Sequence, residues 1–309
     1  MRAAVIDVGS NSIKLLVADR GPGGRIDEVL SRSLEVRIGA GIGSERPRLS
    51  PEGMERGAAA IAELATEARG LGASAIEAVA TSSVRDASNG AEFRERVRSA
   101  VGLELRILTG LEEAEGIGRG LTTDPALLGL ADFHVYDLGG GSLECLSFRQ
   151  RRIKAEASLP LGCVRLTEQF VAAPWAPLQE RERSAIDLHV REVLLASGFP
   201  NAVPPGSGVV GTGGTLTTAR SILAAEVGTT LEKSRTLVPV PRLREMLSRV
   251  GRMDIEGRKR IAGLPASRAD VFPTALVTLV ALAEVGGITA FEHSLRNLRW
   301  GIAAALLHP

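Results

Sequence analysis

Apolar residues recur along this chain with two periods that take turns. Strand-like runs stand at 3–6 (Ala-Ala-Val-Ile), 13–18, 25–38 and 76–80, the second and third joined across Gly21-Pro22-Gly23-Gly24. Ser50-Pro51-Glu52 opens a helix-like run to residue 70, with Met54, Ala58, Ile61, Ala65 and Ala68 on one face. A helix over 90–101, a strand at 104–108 and a helix from 111 complete a first cycle, which Asp124-Pro125 ends. A second cycle begins with Phe-His-Val-Tyr at 133–136, followed by strands at 143–149 and 153–159 that turn at 149–152. Pro174, Pro177, Pro204 and Pro205 bracket a long helix over 178–197, and Val209-Val210 leads into a Gly/Thr turn that opens another helix. The remainder reads as mostly helical, ending in a segment at 297–307. The most apolar stretch, 271–287, contains Pro273 and Glu284 and predicts a buried helix rather than a membrane span.

Composition narrows the class without naming a chemistry. With 309 residues, 44% hydrophobic and 24% charged, the chain has the make-up of a globular protein of two domains or one large one. A formal net charge of +1 gives no whole-molecule attraction for nucleic acid or anionic lipid, so any anion site must be local. No nucleic-acid motif is present, and a strand begins so near the first residue that no signal peptide is expected; the cytoplasm is the expected compartment. Cys145 and Cys163 are too few for a disulfide scaffold or metal cluster and are expected to be reduced core residues. The histidines at 134, 189, 293 and 308 have no metal-ligand spacing and assemble no Ser-His-Asp or Cys-His set.

Chemistry concentrates where strands end. DVGSNS at 7–12 and DLGGGS at 137–142 are near-copies, each a strand, then an aspartate, then a Gly/Ser turn. Gly9, Ser10, Asn11 and Ser12, then Gly139, Gly140, Gly141 and Ser142, offer backbone N–H groups and hydroxyls to an anion. Gly211, Thr212, Gly213, Gly214 and Thr215 form a third turn of the same kind. Asp7 and Asp137 are placed to hold Mg²⁺ or its waters, since that ion takes few carboxylates together with phosphate oxygens. The Gly-x-Gly patterns lack the later acidic residue of a dinucleotide site.

Four further residues have two readings each. Strand alternation puts Glu144 on the face of Ser142, towards the turn's ligand, or else it is a solvent-facing strand acid. Arg85, in Thr-Ser-Ser-Val-Arg-Asp with Asn89 nearby, suits a phosphate clamp or a salt bridge to Asp86 or another acid. Glu112 and Glu113 open a helix, where acids serve the helix dipole, yet one beside a phosphate site could also activate water.

The ordered set of motifs resembles the Ppx/GppA family of exopolyphosphatases and guanosine pentaphosphate phosphohydrolases. The matching segments are DVGSNS with Lys14, ATSSVRDASNG at 80–90, LTGLEEAEG at 108–116, VYDLGGGSLE at 135–144, LPLGCVRLTE at 159–168, GTGGTLTT at 211–218, SRADVFPTAL at 267–276 and SLRNLRWGI at 294–302. The resemblance implies an α/β, actin-like fold: two duplicated ribonuclease-H-like domains around a cleft. Domain I would span 1–124 with a C-terminal helix, 296–309, returning to it, and domain II 125–295. By position the resemblance makes Glu113 the catalytic base and Arg85 the phosphate-binding arginine. It makes Asp137 and Glu144 the holders of metal or water, and the three turns the phosphate-binding loops. Lys14 stands where the family commonly has arginine, Leu143 where it has threonine, and Pro273-Thr274 where it has glycine.

The expected activity is Mg²⁺-assisted release of terminal phosphate from inorganic polyphosphate, guanosine pentaphosphate or both, by a protein that could form a homodimer. The chain stops where longer members continue into a helical domain, so short polyphosphate is the expected substrate. The rivals are an actin-like small-molecule kinase, disfavoured by TSSVR and GLEEAEG, and a non-catalytic sensor of alarmones or polyphosphate.

Overall fold

The computed structural model describes residues 1–308; Pro309, the last residue of the expected C-terminal helical segment, lies outside the described residues. The chain divides into two compact units, one comprising residues 1–128 with the segment from Arg296 onward, the other Gly129–Leu295.

In the first unit, β1 (Arg2–Val8), β2 (Ser12–Arg20) and β3 (Ile26–Glu35) form an antiparallel meander. Helix α1 (Pro51–Gly70) crosses to β4 (Ala75–Ala80), which runs parallel to β1. The one-turn α2 (Ser82–Arg85) and α3 (Gly90–Val101) lead to β5 (Leu105–Ile107), and α4 (Gly110–Thr122) follows. The sheet order is β3-β2-β1-β4-β5. Tight turns allow the antiparallel neighbours, whereas parallel neighbours need a crossover as long as α1. Helix α1 starts where its signals predict: Pro51 is preceded by Ser50, whose hydroxyl accepts from the Gly53 N–H at 3.0 Å. Its apolar stripe meets Ile6, Ile13, Leu15, Phe93 and Val97 in one buried cluster.

The second unit repeats the plan. Strands β6 (Phe133–Leu138), β7 (Leu143–Arg149) and β8 (Arg152–Leu159) form its meander. Helices α5 (Cys163–Phe170) and α6 (Glu180–Ala196) precede β9 (Gly208–Thr212), which lies parallel to β6. Then come α7 (Gly213–Glu226), β10 (Leu237–Pro239), α8 (Val240–Gly251), α9 (Ile255–Lys259), α10 (Phe272–Gly286) and β11 (Ala290–His293). The order β10-β11-β9-β6-β7-β8 contains the first sheet's pattern with β10 added at the edge. Each unit therefore has the ribonuclease-H-like arrangement, and its duplication is the actin-like fold. Cys145 and Cys163 are free and buried, and burial pushes both thiols up. Among the described residues no helix is long and apolar enough to cross a membrane.

The sequence pattern missed α5, β10 and β11. The strands have three and four residues, too few to show a period, and α5 starts at Gly162 without a side-chain cap.

The last helix, α11 (Leu298–Leu307), packs on α4 and on β1 and β2 of the first unit. Glycines bring the two helical backbones into contact. A β-carbon at Gly301 would lie 1.8 Å from the Gly116 carbonyl oxygen, and one at Gly120 would lie 2.1 Å from that of Asn297. Arg299 donates to the Leu15 carbonyl at 3.0 Å, and the Arg296 guanidinium lies 4.0 Å over the Trp300 ring. Because backbone cannot move aside, Gly301→Ala is expected to cost at least about 1–3 kcal/mol in urea denaturation. Gly70→Ala, at a helical glycine with open space around it, should be neutral or stabilising by up to about 1 kcal/mol.

Candidate active site

In the first unit the turn after β1 is closed by the Gly9 N–H donating to Ser12 O at 3.1 Å. Its carbonyls are tied back by the segment leaving β3: Val36 and Arg37 N–H donate to Asn11 O (3.1 and 2.9 Å), and Gly39 N–H to Ser10 O (2.8 Å). In a trans peptide the following N–H points opposite to the carbonyl, so those of Asn11 and Ser12 turn away from that clamp. The Asn11 side chain is engaged, its Nδ2 donating to Glu35 at 2.7 Å. The Ser10 hydroxyl is buried and has no partner among the described residues. Burial pushes the Asp7 carboxyl up, and the charges of Lys14 and Arg299 pull it partly back.

Arg85 and Glu113 are brought together. Arg85 Nη1 donates to Glu113 Oε2 at 2.9 Å and to the Leu108 carbonyl at 3.2 Å, while its Nε lies 3.4 Å from Asp86. Both readings of Arg85 as an ion-pair partner are thus realised, and the stronger partner is 28 residues away. The two adjacent acids separate cleanly. Glu112 completes a capping box with Thr109, accepting its N–H at 2.8 Å, and that bond holds the Glu112 carboxyl below its ordinary range. Glu113 instead turns inward and is 7% exposed. Asn89 is structural, bonded to both the N–H and the carbonyl of Leu49. Ser83, beside Arg85, carries a buried hydroxyl with no partner among the described residues.

The second unit builds its turn the same way. Gly139 N–H donates to Ser142 O at 3.0 Å. Cys163 N–H takes Gly139 O, Val164 and Arg165 N–H take Gly140 O, and the Arg165 Nε takes Gly141 O at 2.8 Å. The N–H groups of Gly140, Gly141 and Ser142 are therefore directed the other way. Cross-strand register sets Thr212 beside Asp137, Asp137 beside Glu144 and Glu144 beside Ser158, one polar row on one face of four strands. Ser158 Oγ donates to Glu144 Oε1 at 2.9 Å, and Asp137, Glu144 and Thr212 are all buried. The matching row of the first unit reads Val79, Asp7, Lys14, Ser33. Where one unit pairs an acid with an amine, the other pairs two acids.

The third turn runs into helix α7. No side chain caps that helix, and the Thr212 hydroxyl at its start is buried without a partner among the described residues. Gly213 adopts φ +88°, and a β-carbon there would lie 2.2 Å from Asp137 Oδ1. Arg268 went unassigned in the sequence although it sits in SRADVFPTAL; its guanidinium covers Gly214, where a β-carbon would meet Nη2 at 2.1 Å.

The donor set fits a hard divalent cation. Asp137 and Glu144 offer adjacent carboxylate oxygens, and the Thr212 hydroxyl, without a partner among the described residues, stands at the end of their row. No group of three or more His, Cys, Asp or Glu among the described residues forms an all-protein cage. Two carboxylates completed by water and phosphate oxygens suit Mg²⁺.

Comparison with known proteins identifies the family. The model of the Ppx/GppA phosphatase family matches residues 16–308. A Mycobacterium tuberculosis protein named exopolyphosphatase 2 is 32% identical over 99% of this chain and 98% of its own length. The crystal structure of an exopolyphosphatase from Cytophaga hutchinsonii superposes with a TM-score of 0.88 at 24% identity, covering 99% of this chain and 98% of that one. A Ppx/GppA family member from Aquifex aeolicus gives 0.80 at 25% identity, with 99% and 97% covered.

Asp7 supplies a stability test. Its folded-state value lies above the unfolded one, so the folded state holds the proton more tightly, and stability falls as pH rises from the unfolded value through the folded one. Asp7→Asn is expected to stabilise the protein by about 0.5–2 kcal/mol at pH 7–8, the gain vanishing below about pH 4 in chemical denaturation.

Proposed function

Because this chain belongs to the Ppx/GppA phosphatase family, we propose that it is a metal-assisted phosphoanhydride hydrolase releasing terminal phosphate from inorganic polyphosphate. Glu113 is the observation that carries this reading. Of two adjacent acids, one is consumed in capping a helix, while the other is buried and held at 2.9 Å by an arginine that can also meet phosphate. A sensor needs cations and amides; a buried carboxylate beside the cation adds a base.

The N–H groups of the turns at 9–12, 139–142 and 211–215, the last with Arg268, bind phosphate. Asp137 and Glu144 would hold Mg²⁺, which supplies positive charge to the phosphate oxygens. Asp7, its charge offset by Lys14, leaves the ion to that pair. Glu113 orients a water and takes its proton as the oxygen attacks phosphorus in line with the departing phosphate chain. Protonation of Glu113 weakens its hold on Arg85, which frees the guanidinium for the charge developing on the transferred group. Positioning and charge stabilisation supply most of the rate, as phosphoryl transfer requires.

The test is phosphate release in the presence of Mg²⁺ from short and long polyphosphate, guanosine pentaphosphate and ATP. Wild type is expected to act on polyphosphate, and Glu113→Gln to lower kcat by about 10²–10⁴-fold without loss of fold. Release from guanosine pentaphosphate alone would reassign the substrate within the family. No release from any anhydride would overturn the reading in favour of a sensor, and ATP-dependent phosphorylation of a small molecule in favour of a kinase.

A further inference from the structure

Behind the third turn lies a chain of buried and half-buried polar groups that the proposed reaction does not use. Arg220, on α7, is 5% exposed, and all three nitrogens of its guanidinium meet acceptors. It donates to Ser234 Oγ, to the carbonyls of Leu231, Ser234 and Arg235, and, from Nη1, to His293 Nδ1 at 3.2 Å. A guanidinium accepts nothing, so Nδ1 must present its lone pair and the imidazole proton must sit on Nε2. That N–H then donates to Thr217 Oγ1 at 3.2 Å, and the Thr217 hydroxyl donates its own proton to the Gly213 carbonyl at 2.9 Å. Each proton follows from the one before it.

We propose that Arg220, His293 and Thr217 form a hydrogen-bond relay of fixed polarity that holds the 211–215 turn in its anion-binding shape. Thr217 and His293 are thereby positioning residues, an assignment that rests on reading this turn as a phosphate cradle. Two features make the position consequential. The relay ends on the peptide between Gly213 and Gly214, so fixing the Gly213 carbonyl along the helix aims the Gly214 N–H out of its N-terminus. Gly213 is also the residue that lies against Asp137, so a shift there reaches the row of acids. The strand that carries His293 grips the other end of the turn as well: His293 pairs with Gly211, and Ser294 N–H donates to Gly211 O at 3.1 Å. Burial, aided by the Arg220 charge, pushes the His293 imidazole down to about 3, so the ring stays neutral and the relay keeps its direction at physiological pH. Glu292 and Glu232 are the acids acting on the guanidinium.

The relay itself is read by long-range ¹H–¹⁵N spectra of the full chain, with the His293 signals assigned by their loss in His293→Gln. An Nε2–H tautomer that does not titrate between pH 5 and 8 is expected. An Nδ1–H tautomer, or a ring titrating in that range, overturns the relay whatever the protein hydrolyses. Its role is read by calorimetric binding of inorganic tripolyphosphate with Mg²⁺ and by steady-state kinetics. Thr217→Val should weaken tripolyphosphate binding and raise KM by about tenfold, the scale of one lost buried hydrogen bond, with kcat changed less than about threefold. Thr217→Ser, which keeps the hydroxyl, should restore both. Wild-type affinity in Thr217→Val, or failure of serine to rescue, sinks the positioning role alone. Absence of tripolyphosphate binding by wild type sinks the cradle reading, and the positioning role falls with it.

Discussion

The rigidity of the peptide unit organises the candidate site. In both units the segment that leaves the third strand of the meander returns and ties down the carbonyls of the turn between the first two. Residues 36–39 do so for the turn at 9–12, and residues 163–165 for the turn at 139–142. Since a trans peptide cannot turn its carbonyl one way without turning its N–H the other, clamping one side presents donors on the other. Glycine and serine make such a turn possible, and the clamp makes it persistent. Among the described residues the buried hydroxyls of Ser10 in the first such turn, Ser83 beside Arg85 and Thr212 at the third turn have no partner, each a group whose desolvation a ligand would offset.

Duplication supplied two copies of this device, and cross-strand pairing made them different. Asp7 and Asp137 occupy equivalent strand ends, but the residue beside each has opposite charge, Lys14 in one unit and Glu144 in the other. The first row is nearly self-neutralising. The second concentrates negative charge in a buried place, which is tolerable where a cation is to be held. A single side chain on the neighbouring strand thus gives two copies of one motif different chemical capacities, although the motifs themselves remain almost identical.

How much of this was legible in the sequence depended on whether the cause was local. The helix at 51–70 could be placed because Ser50-Pro51 and the apolar stripe are written within it, and the strand–Asp–turn units because each is contiguous. Contacts between distant segments were not legible. Nothing in the spacing says that Arg85 meets Glu113, or that Arg268 covers Gly214. Helix α5 forms because its first N–H groups find the carbonyls of the 139–142 turn, a tertiary cause that leaves no period behind. Glu112 and Glu113 are the instructive pair. Thr109-x-x-Glu112 spells a capping box, and weighing that local signal would have separated the structural acid from the buried one before any coordinates.

The contact between Gly116, Gly120 and the backbone of α11 joins segments far apart in the chain, and this orders events during synthesis. The second unit, residues 129–295, is a continuous stretch and is synthesised in full before α11 is made. The first unit is not continuous. Helix α4, which carries Glu113, must hold its glycine-lined face uncovered for the time taken to translate the whole of its neighbour. At the end of that interval the nascent chain has all three glycine-rich turns but still lacks the helix that packs on α4. The packing of α4 is thus completed last, only when residues 298–307 arrive.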